Sequence, residues 1–443
     1  EVTYSDRNGK YIEAKRSYTS KNIIMQKLEV LGGKKLRGQI EISGSKNASL
    51  PILAATILSD EKIYLSNLPR VKDIETMINL LKSIGSNIKI NNDKKSLSII
   101  NNKKLKFFAP YNLVKTMRAG ILVLGPMLAR FHKAKVSLPG GCSIGIRPID
   151  IHLNCLSKLG AKYKISNGYV YASANNGLVG ARIKFPKISV GATENLIIAA
   201  SMAKGTSILS NCAIEPEIKD LVNFLNKIGA KIKWIGKRTV KIFGVKKFKE
   251  NKYRIMPDRI EAGTYMIAAA ITEGKILING IDSKLIKTEI ELLKKIGVKV
   301  FIFKNKIKVI GSNNLKNIII KTAPYPGFPT DLQAQIMVLL CKASGLSIIS
   351  EEIFENRFMH CGELNRMGAK ITIKGSKAYI GGNIKLKSAE LMATDLRASV
   401  CLILAALIAK GKSTINRIYH LDRGYESIEK KLRKVGAKIK RKS

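Results

Sequence analysis

Six glycines recur at intervals of roughly 70 residues, each placed behind an apolar helix end and ahead of a short alternating strand. Leu81-Lys82-Ser83-Ile84-Gly85-Ser86-Asn87-Ile88 and Leu156-Ser157-Lys158-Leu159-Gly160-Ala161-Lys162-Tyr163 show the pattern, and the other copies centre on Gly229, Gly297, Gly368 and Gly436. A glycine in that place reads as a left-handed helix cap, a backbone state other residues enter at a cost, and the alternation after it suits a strand. A second element recurs between these glycines: a helix of small residues, a turn and another strand, as in Ile197 to Asn211, Met266 to Asn279 and Leu402 to Asn416. Runs such as Ala268-Ala269-Ala270 and Ala405-Ala406 permit close backbone approach, which places these helices inside and the sheets toward solvent.

A period this long excludes a solenoid of 20 to 50-residue repeats, so each copy is a compact subdomain. The fold class is α/β, with six βαβαββ-like units, and three units closing around each core make two similar domains with a cleft between them. The chain is expected to cross between them before Lys46 and again at Arg254-Ile255-Met256-Pro257-Asp258, where proline and charge interrupt the strand pattern. That gives residues 46–254 as one domain and 25–45 plus 255–443 as the other. Residues 1–24 are polar and lack a hydrophobic period, and are expected to be a disordered or non-native extension.

The formal charge of +46, from 78 Lys and Arg against 32 Asp and Glu, calls for an anionic partner. The lysines are dispersed, as in Lys34-Lys35, Lys103-Lys104, Lys246-Lys247 and Lys294-Lys295, with no basic block interleaved with aromatics, so a specific nucleic-acid interface is not expected. A nucleic-acid-binding protein is kept as the alternative of a different class. The six cysteines lie far apart, form no CxxC pair and, like the four histidines, show no zinc-ligand spacing. No apolar stretch approaches the roughly 20 residues that span a bilayer, and the expectation is a soluble, cytoplasmic protein.

Four motifs carry candidate chemistry. Ser43-Gly44-Ser45-Lys46-Asn47-Ala48 leads into an apolar helix and offers Lys46 and backbone N–H groups to an anion, or is merely a cap; it lacks the Walker A spacing. Leu138 to Asp150 sets Cys142 among three glycines with Arg147 nearby, a setting that lowers a thiol pKa. Arg118, Arg357, Arg397 and Arg423 stand out where lysine dominates, as forks onto carboxylate or phosphate or as structural ion pairs. Asp331 follows the stiff run Pro324-Tyr325-Pro326-Gly327-Phe328-Pro329-Thr330, as an ordinary first-turn residue or as a general base toward a hydroxyl.

Together these blocks resemble the UDP-N-acetylglucosamine 1-carboxyvinyltransferases of the EPSP synthase superfamily, from about Met25 to the C-terminus. The resemblance rests on Ser45-Lys46-Asn47-Ala48-Ser49-Leu50-Pro51, Lys115-Thr116-Met117-Arg118-Ala119, Pro139-Gly140-Gly141-Cys142, Ser189-Val190-Gly191-Ala192-Thr193, Pro257-Asp258-Arg259-Ile260-Glu261, Phe328-Pro329-Thr330-Asp331, Phe354 to His360, and Asp422-Arg423-Gly424-Tyr425-Glu426. It implies an inside-out α/β barrel pair and transfer of the enolpyruvyl group of phosphoenolpyruvate to the 3′-hydroxyl of the nucleotide sugar, the first committed step of peptidoglycan synthesis. It implies phosphoenolpyruvate binding by Lys46, Asn47, Arg147, Arg357, Arg397 and Arg423. For the nucleotide sugar it implies Arg118, Arg147-Pro148-Ile149-Asp150-Ile151, Lys187-Ile188-Ser189-Val190-Gly191, Asp331 and Ile353. Lys46 and Arg397 also count among the catalytic residues, with Asp331 as the base and Cys142 as proton donor to C3 and site of a covalent adduct. No metal or organic cofactor is implied. The rival inside the fold, 3-phosphoshikimate 1-carboxyvinyltransferase, lacks the cysteine loop and the blocks around Arg118 and Lys187. Gly120 departs from the family, where a small polar residue is common, and so does the extension before Met25.

Overall fold

All six repeat glycines adopt φ between +91° and +111°, so each closes its helix in the left-handed region before the chain turns into a strand. The computed structural model describes residues 4–5, 11–12, 26–101, 105–140 and 149–442. Cys142, Arg147 and Pro148 lie outside the described residues, as does nearly all of the 1–24 segment.

Six four-stranded sheets follow one plan. A first strand pairs in parallel with a second, an inner helix joins them, and an outer helix ending at the repeat glycine leads to an antiparallel hairpin that pairs back onto the second strand. Phe108–Ala109, Lys133–Ser137, Tyr169–Ser173 and Lys162–Ser166 make one such sheet, in that spatial order. Three sheets are completed by segments distant in sequence. Asn251–Arg254 pairs in parallel with Ile63–Ser66. Arg37–Glu41 pairs with Lys275–Asn279, and Lys27–Leu31 lies between Lys412–Asn416 and Lys438–Lys442.

The layering is the reverse of a common α/β protein, as the small-residue helices led us to expect. Every residue of the helix Arg259–Ile271 is buried, as are eleven residues of Leu396–Ile408 and nine of Val190–Ala200. Their apolar residues face inward all round, which suits a helix surrounded by protein rather than one with a solvated side. The outer helices, such as Lys72–Ser83 and Lys287–Ile296, have one buried apolar stripe and one charged face. Strands such as Lys306–Ile310 alternate lysines on the solvent side, Lys306 and Lys308, with buried Ile307 and Val309, which puts positive charge on the outer face of the sheet.

The buried apolar side chains form two clusters, one from Ala48 to Ile255 and one from Leu28 to Ile42 together with Ile260 to Ile439. The two chain passages between them run side by side. Ser45 N–H donates to Met256 O at 2.8 Å, and Asp258 N–H donates to Ser43 O at 2.9 Å. Gly44 is required there, because a Cβ would stand 1.6 Å from the Asn67 carbonyl oxygen.

Candidate active site

Both passages end in helix N-termini. Ser45 caps Lys46–Ala55 by accepting from Ala48 N–H at 3.2 Å, which makes Lys46 and Asn47 the first two helical residues. Asp258 caps Arg259–Ile271 and also accepts from Lys46 N–H at 3.3 Å. The side chain of Lys46 reaches Asp73 Oδ2 at 3.3 Å, in the first turn of the helix Lys72–Ser83. From the other core, Arg423 places Nε 2.9 Å from Asp73 Oδ1. One buried carboxylate thus carries a lysine of the first cluster and an arginine of the second. Asp73 was not singled out in the sequence, where it is one acidic residue in the first turn of an amphipathic helix and reads as ordinary dipole compensation.

Asp331 is the matching centre. It sits in the one-turn 3₁₀ helix Thr330–Leu332 that precedes Gln333–Lys342. Its Oδ2 lies 2.6 Å from Nη2 of Arg397, and its Oδ1 lies 2.9 Å from Nη2 of Arg357. Arg397 is the second residue of Leu396–Ile408, where the Asp395 cap accepts from its N–H at 2.7 Å. The guanidinium groups are buried, at 8% and 4% side-chain exposure, while the Asp331 side chain keeps 26%. Burial alone raises the Asp331 pKa, but Arg397, Arg357 and, further off, Lys46 outweigh it and hold the carboxyl well below the usual carboxylate range. Among the described residues no acceptor meets Nε of Arg357.

Glu351, also absent from the sequence reading, ties this centre to the next loop. Its carboxylate accepts from the Thr330 hydroxyl at 2.9 Å, from Ile353 N–H at 2.9 Å and from Phe354 N–H at 3.2 Å. Ile353 is thereby fixed with its side chain exposed. The remaining expected residues lie on the first cluster. Arg118 opens the 3₁₀ helix Arg118–Val123. Ile149 and Ile151 bury their side chains at the start of Asp150–Lys158, so they have only main-chain groups to offer a ligand, whereas Asp150 is exposed. Exposed Lys187 and half-buried Ile188 lead into Ser189, which caps Val190–Ala200 by accepting from Ala192 N–H at 3.3 Å. Val190 and Gly191 are the first residues of that eleven-residue helix, whose N–H groups and dipole favour an anion. A Cβ on Gly191 would come 3.2 Å from the His152 ring.

Buried Asp73 thus holds one cation from each core, Lys46 and Arg423, and half-buried Asp331 holds two from the second, Arg357 and Arg397. The family model of EPSP synthase (3-phosphoshikimate 1-carboxyvinyltransferase) matches residues 30–432. The chain belongs to the EPSP synthase family. Within that family it is 73% identical to the UDP-N-acetylglucosamine 1-carboxyvinyltransferase of Pelagibacter ubique, over 94% of this chain and all of that one. It is 52% identical to the protein of the same name from Geotalea uraniireducens, over 94% of this chain and 99% of that one. Among solved structures, the enolpyruvyl transferase NikO from Streptomyces tendae matches with a TM-score of 0.87 at 23% identity, covering 94% of this chain and 99% of its own. An EPSP synthase from Acinetobacter baumannii matches with a TM-score of 0.75 at 17% identity, covering 94% and 100%, and shares the fold.

As a transferase of the EPSP synthase family, the chain carries its other five thiols out of reach. Cys155, Cys212, Cys341, Cys361 and Cys401 are all free and buried. Burial pushes Cys212, Cys341 and Cys361 up to about 12, so none is a thiolate near neutral pH. Among the described residues no cluster of His, Cys, Asp and Glu could hold a metal ion, and no helix is long and apolar enough to cross a membrane.

Proposed function

We propose that the chain transfers the enolpyruvyl group of phosphoenolpyruvate to the 3′-hydroxyl of UDP-N-acetylglucosamine and releases phosphate, as a cytoplasmic enzyme at the first committed step of peptidoglycan synthesis. The supporting observation is the paired centre: Asp73 with Lys46 and Arg423, and Asp331 with Arg357 and Arg397. Phosphoenolpyruvate carries two anionic groups, and the four cations, with Asn47 and Arg147, supply a point charge and arginine forks for them. The first domain, 46–254, and the second, 25–45 plus 255–443, place this centre in their cleft. Arg118, Arg147, Pro148, the main chain of Ile149 to Ile151, the helix start at Lys187 to Gly191, and Ile353 hold the nucleotide sugar.

An aspartate held by two arginines is a weak base. In this reading the anionic groups of phosphoenolpyruvate draw Arg397 and Arg357 toward themselves, and Asp331 is left to the sugar hydroxyl, whose proton it takes. The hydroxyl oxygen then forms its bond to C2 while Cys142 protonates C3, and the electron pair of the double bond goes to that new C–H bond. The C–O bond from C2 to phosphate then breaks as the Cys142 thiolate takes a proton back from C3, and that C–H electron pair forms the double bond of the vinyl ether. Arginine and lysine contacts stabilise the charge that builds on the departing phosphate. Phosphate release measured with both substrates present, and with each alone, tests the reading. Turnover with shikimate 3-phosphate in place of the nucleotide sugar, or none with either, would overturn it.

A further inference from the structure

We propose that Tyr425 is a positioning residue for the transfer, setting the orientation in which Arg397 meets Asp331 and the substrate anion. The proposal rests on the transfer reading above and deepens it. Tyr425 lies two residues beyond Arg423 in the Asp422 to Glu426 block, and only Arg423 of that block has a role so far.

The donors and acceptors around its hydroxyl can be counted completely. Arg397 Nη1 donates to Tyr425 Oη at 3.2 Å, and Gln335 Nε2 donates to the same oxygen at 3.2 Å. Both partners have only N–H to give, so both lone pairs of the hydroxyl are used. Its own proton must therefore point to Thr264 Oγ1 at 2.8 Å, and the Thr264 proton goes on to Ile260 O at 2.9 Å. Tyr425, Thr264 and Gln335 are all buried, at 2%, 0% and 0% exposure, so no water offers a substitute. Burial also raises the phenol pKa, which keeps the hydroxyl neutral.

The same network grips Asp331 from behind. The second N–H of Gln335 reaches the Asp331 carbonyl oxygen at 2.9 Å, so one amide holds both the main chain that carries the carboxylate and the hydroxyl that aims its arginine. Gly263, beside Thr264, lets the helix Arg259–Ile271 close on this turn, for a Cβ there would stand 2.4 Å from Leu332 Cδ1. Next along the chain, Glu426 accepts from Arg70 N–H at 3.1 Å and pairs with Lys95 at 3.1 Å, both on the other core. Tyr425 therefore sits between the contact that joins the two halves and the arginine facing the substrate.

Tyr425→Phe removes one oxygen, leaves Arg397 Nη1 without its acceptor and keeps the ring. Losing a hydrogen bond to a charged group corresponds to about 10- to 100-fold in kcat/KM for phosphoenolpyruvate. KM for UDP-N-acetylglucosamine should stay within about threefold, a split that a general loss of structure would not produce. Thr264→Val, which removes the acceptor of the Tyr425 proton, should act in the same direction, and Thr264→Ser should recover most of the loss; these two carry the test if Tyr425→Phe does not fold. An unchanged kcat/KM for phosphoenolpyruvate in Tyr425→Phe, or equal losses for both substrates, would overturn the proposal. A parent protein that releases no phosphate defeats the transfer reading instead. Binding of inorganic phosphate by calorimetry then decides: about tenfold weaker binding in Tyr425→Phe supports the positioning role, and equal binding ends it.

Discussion

Replacing Asp331 by Asn should cost stability that an anion can restore. The amide keeps the shape of the side chain and one acceptor oxygen but removes the charge between Arg397 and Arg357, whose side chains are 8% and 4% exposed. Breaking a buried pair by removing one partner typically costs ~3–5 kcal/mol, because the surviving charge has nowhere to go. Here two cations survive, but the 26% exposure of the carboxylate shows that water reaches the site, so the low end, ~3 kcal/mol, is the better figure. For a core of about 200 residues this lowers the melting temperature by roughly 6–12 °C. Inorganic phosphate fills the vacated charge, and at about a hundred times its dissociation constant it returns ~2.7 kcal/mol. Thermal unfolding of parent and variant, each with and without phosphate at fixed ionic strength, measures both effects. A variant that melts with the parent, or one that phosphate stabilises no more than the parent, would refute the idea that Asp331 stands where a substrate anion binds.

Fosfomycin, an epoxide that mimics phosphoenolpyruvate, should add to Cys142 alone, because the other five thiols are buried; an adduct mapped by mass spectrometry to Cys155 or Cys361 would contradict this. Cys142→Asp should resist the epoxide and keep part of the turnover, since a carboxyl can also deliver a proton, and total loss of phosphate release would count against the donor role. His360 is buried, and desolvation lowers its pKa to about 4, so the native state holds it neutral. As pH falls below the ordinary value near 6.5 the unfolded chain takes the proton first, and on the order of 3 kcal/mol is lost by pH ~4; urea midpoints of His360→Gln should lack this slope. Arg259→Met should destabilise by about 3–5 kcal/mol near neutral pH, because Glu217 and Glu289, 3.0 and 3.4 Å from the guanidinium, lose their cation. Part of that loss should return as the pH is lowered and the two buried carboxyls take up protons; a loss that deepens in acid would contradict the assignment.

The repeat was legible because each glycine answers a local demand, a positive φ at a helix end, that few other residues meet cheaply. The inner helices were legible for the same kind of reason: an all-apolar helix of small residues has no solvated face to present. Arg357, Arg397 and Arg423 stood out against a lysine background, and the structure sets each of them against a carboxylate. Asp73 did not stand out, since a first-turn carboxylate looks alike whether it balances a helix dipole or holds two cations, and neither did Glu351, one acidic residue in the loop after the strand Leu346–Ser350. Asp73 and Arg423 are 350 positions apart, and no period or spacing in the sequence links them. The role of Tyr425 was hidden for a different reason: it depends on counting lone pairs on one oxygen, which needs three partners in place.

The strand Lys27–Leu31 finds its partners only in Lys412–Asn416 and Lys438–Lys442. On the ribosome it must wait while about 380 further residues are made, which at 5–20 residues per second is roughly 20 to 75 seconds. For that time the nascent chain presents a strand with unpaired edges, while the cluster from Ala48 to Ile255 has all its own segments as soon as Ile255 is made. The second core is therefore the one whose assembly waits for the latest-made strands, and a chain released just before Lys438 would leave its last sheet without an end strand.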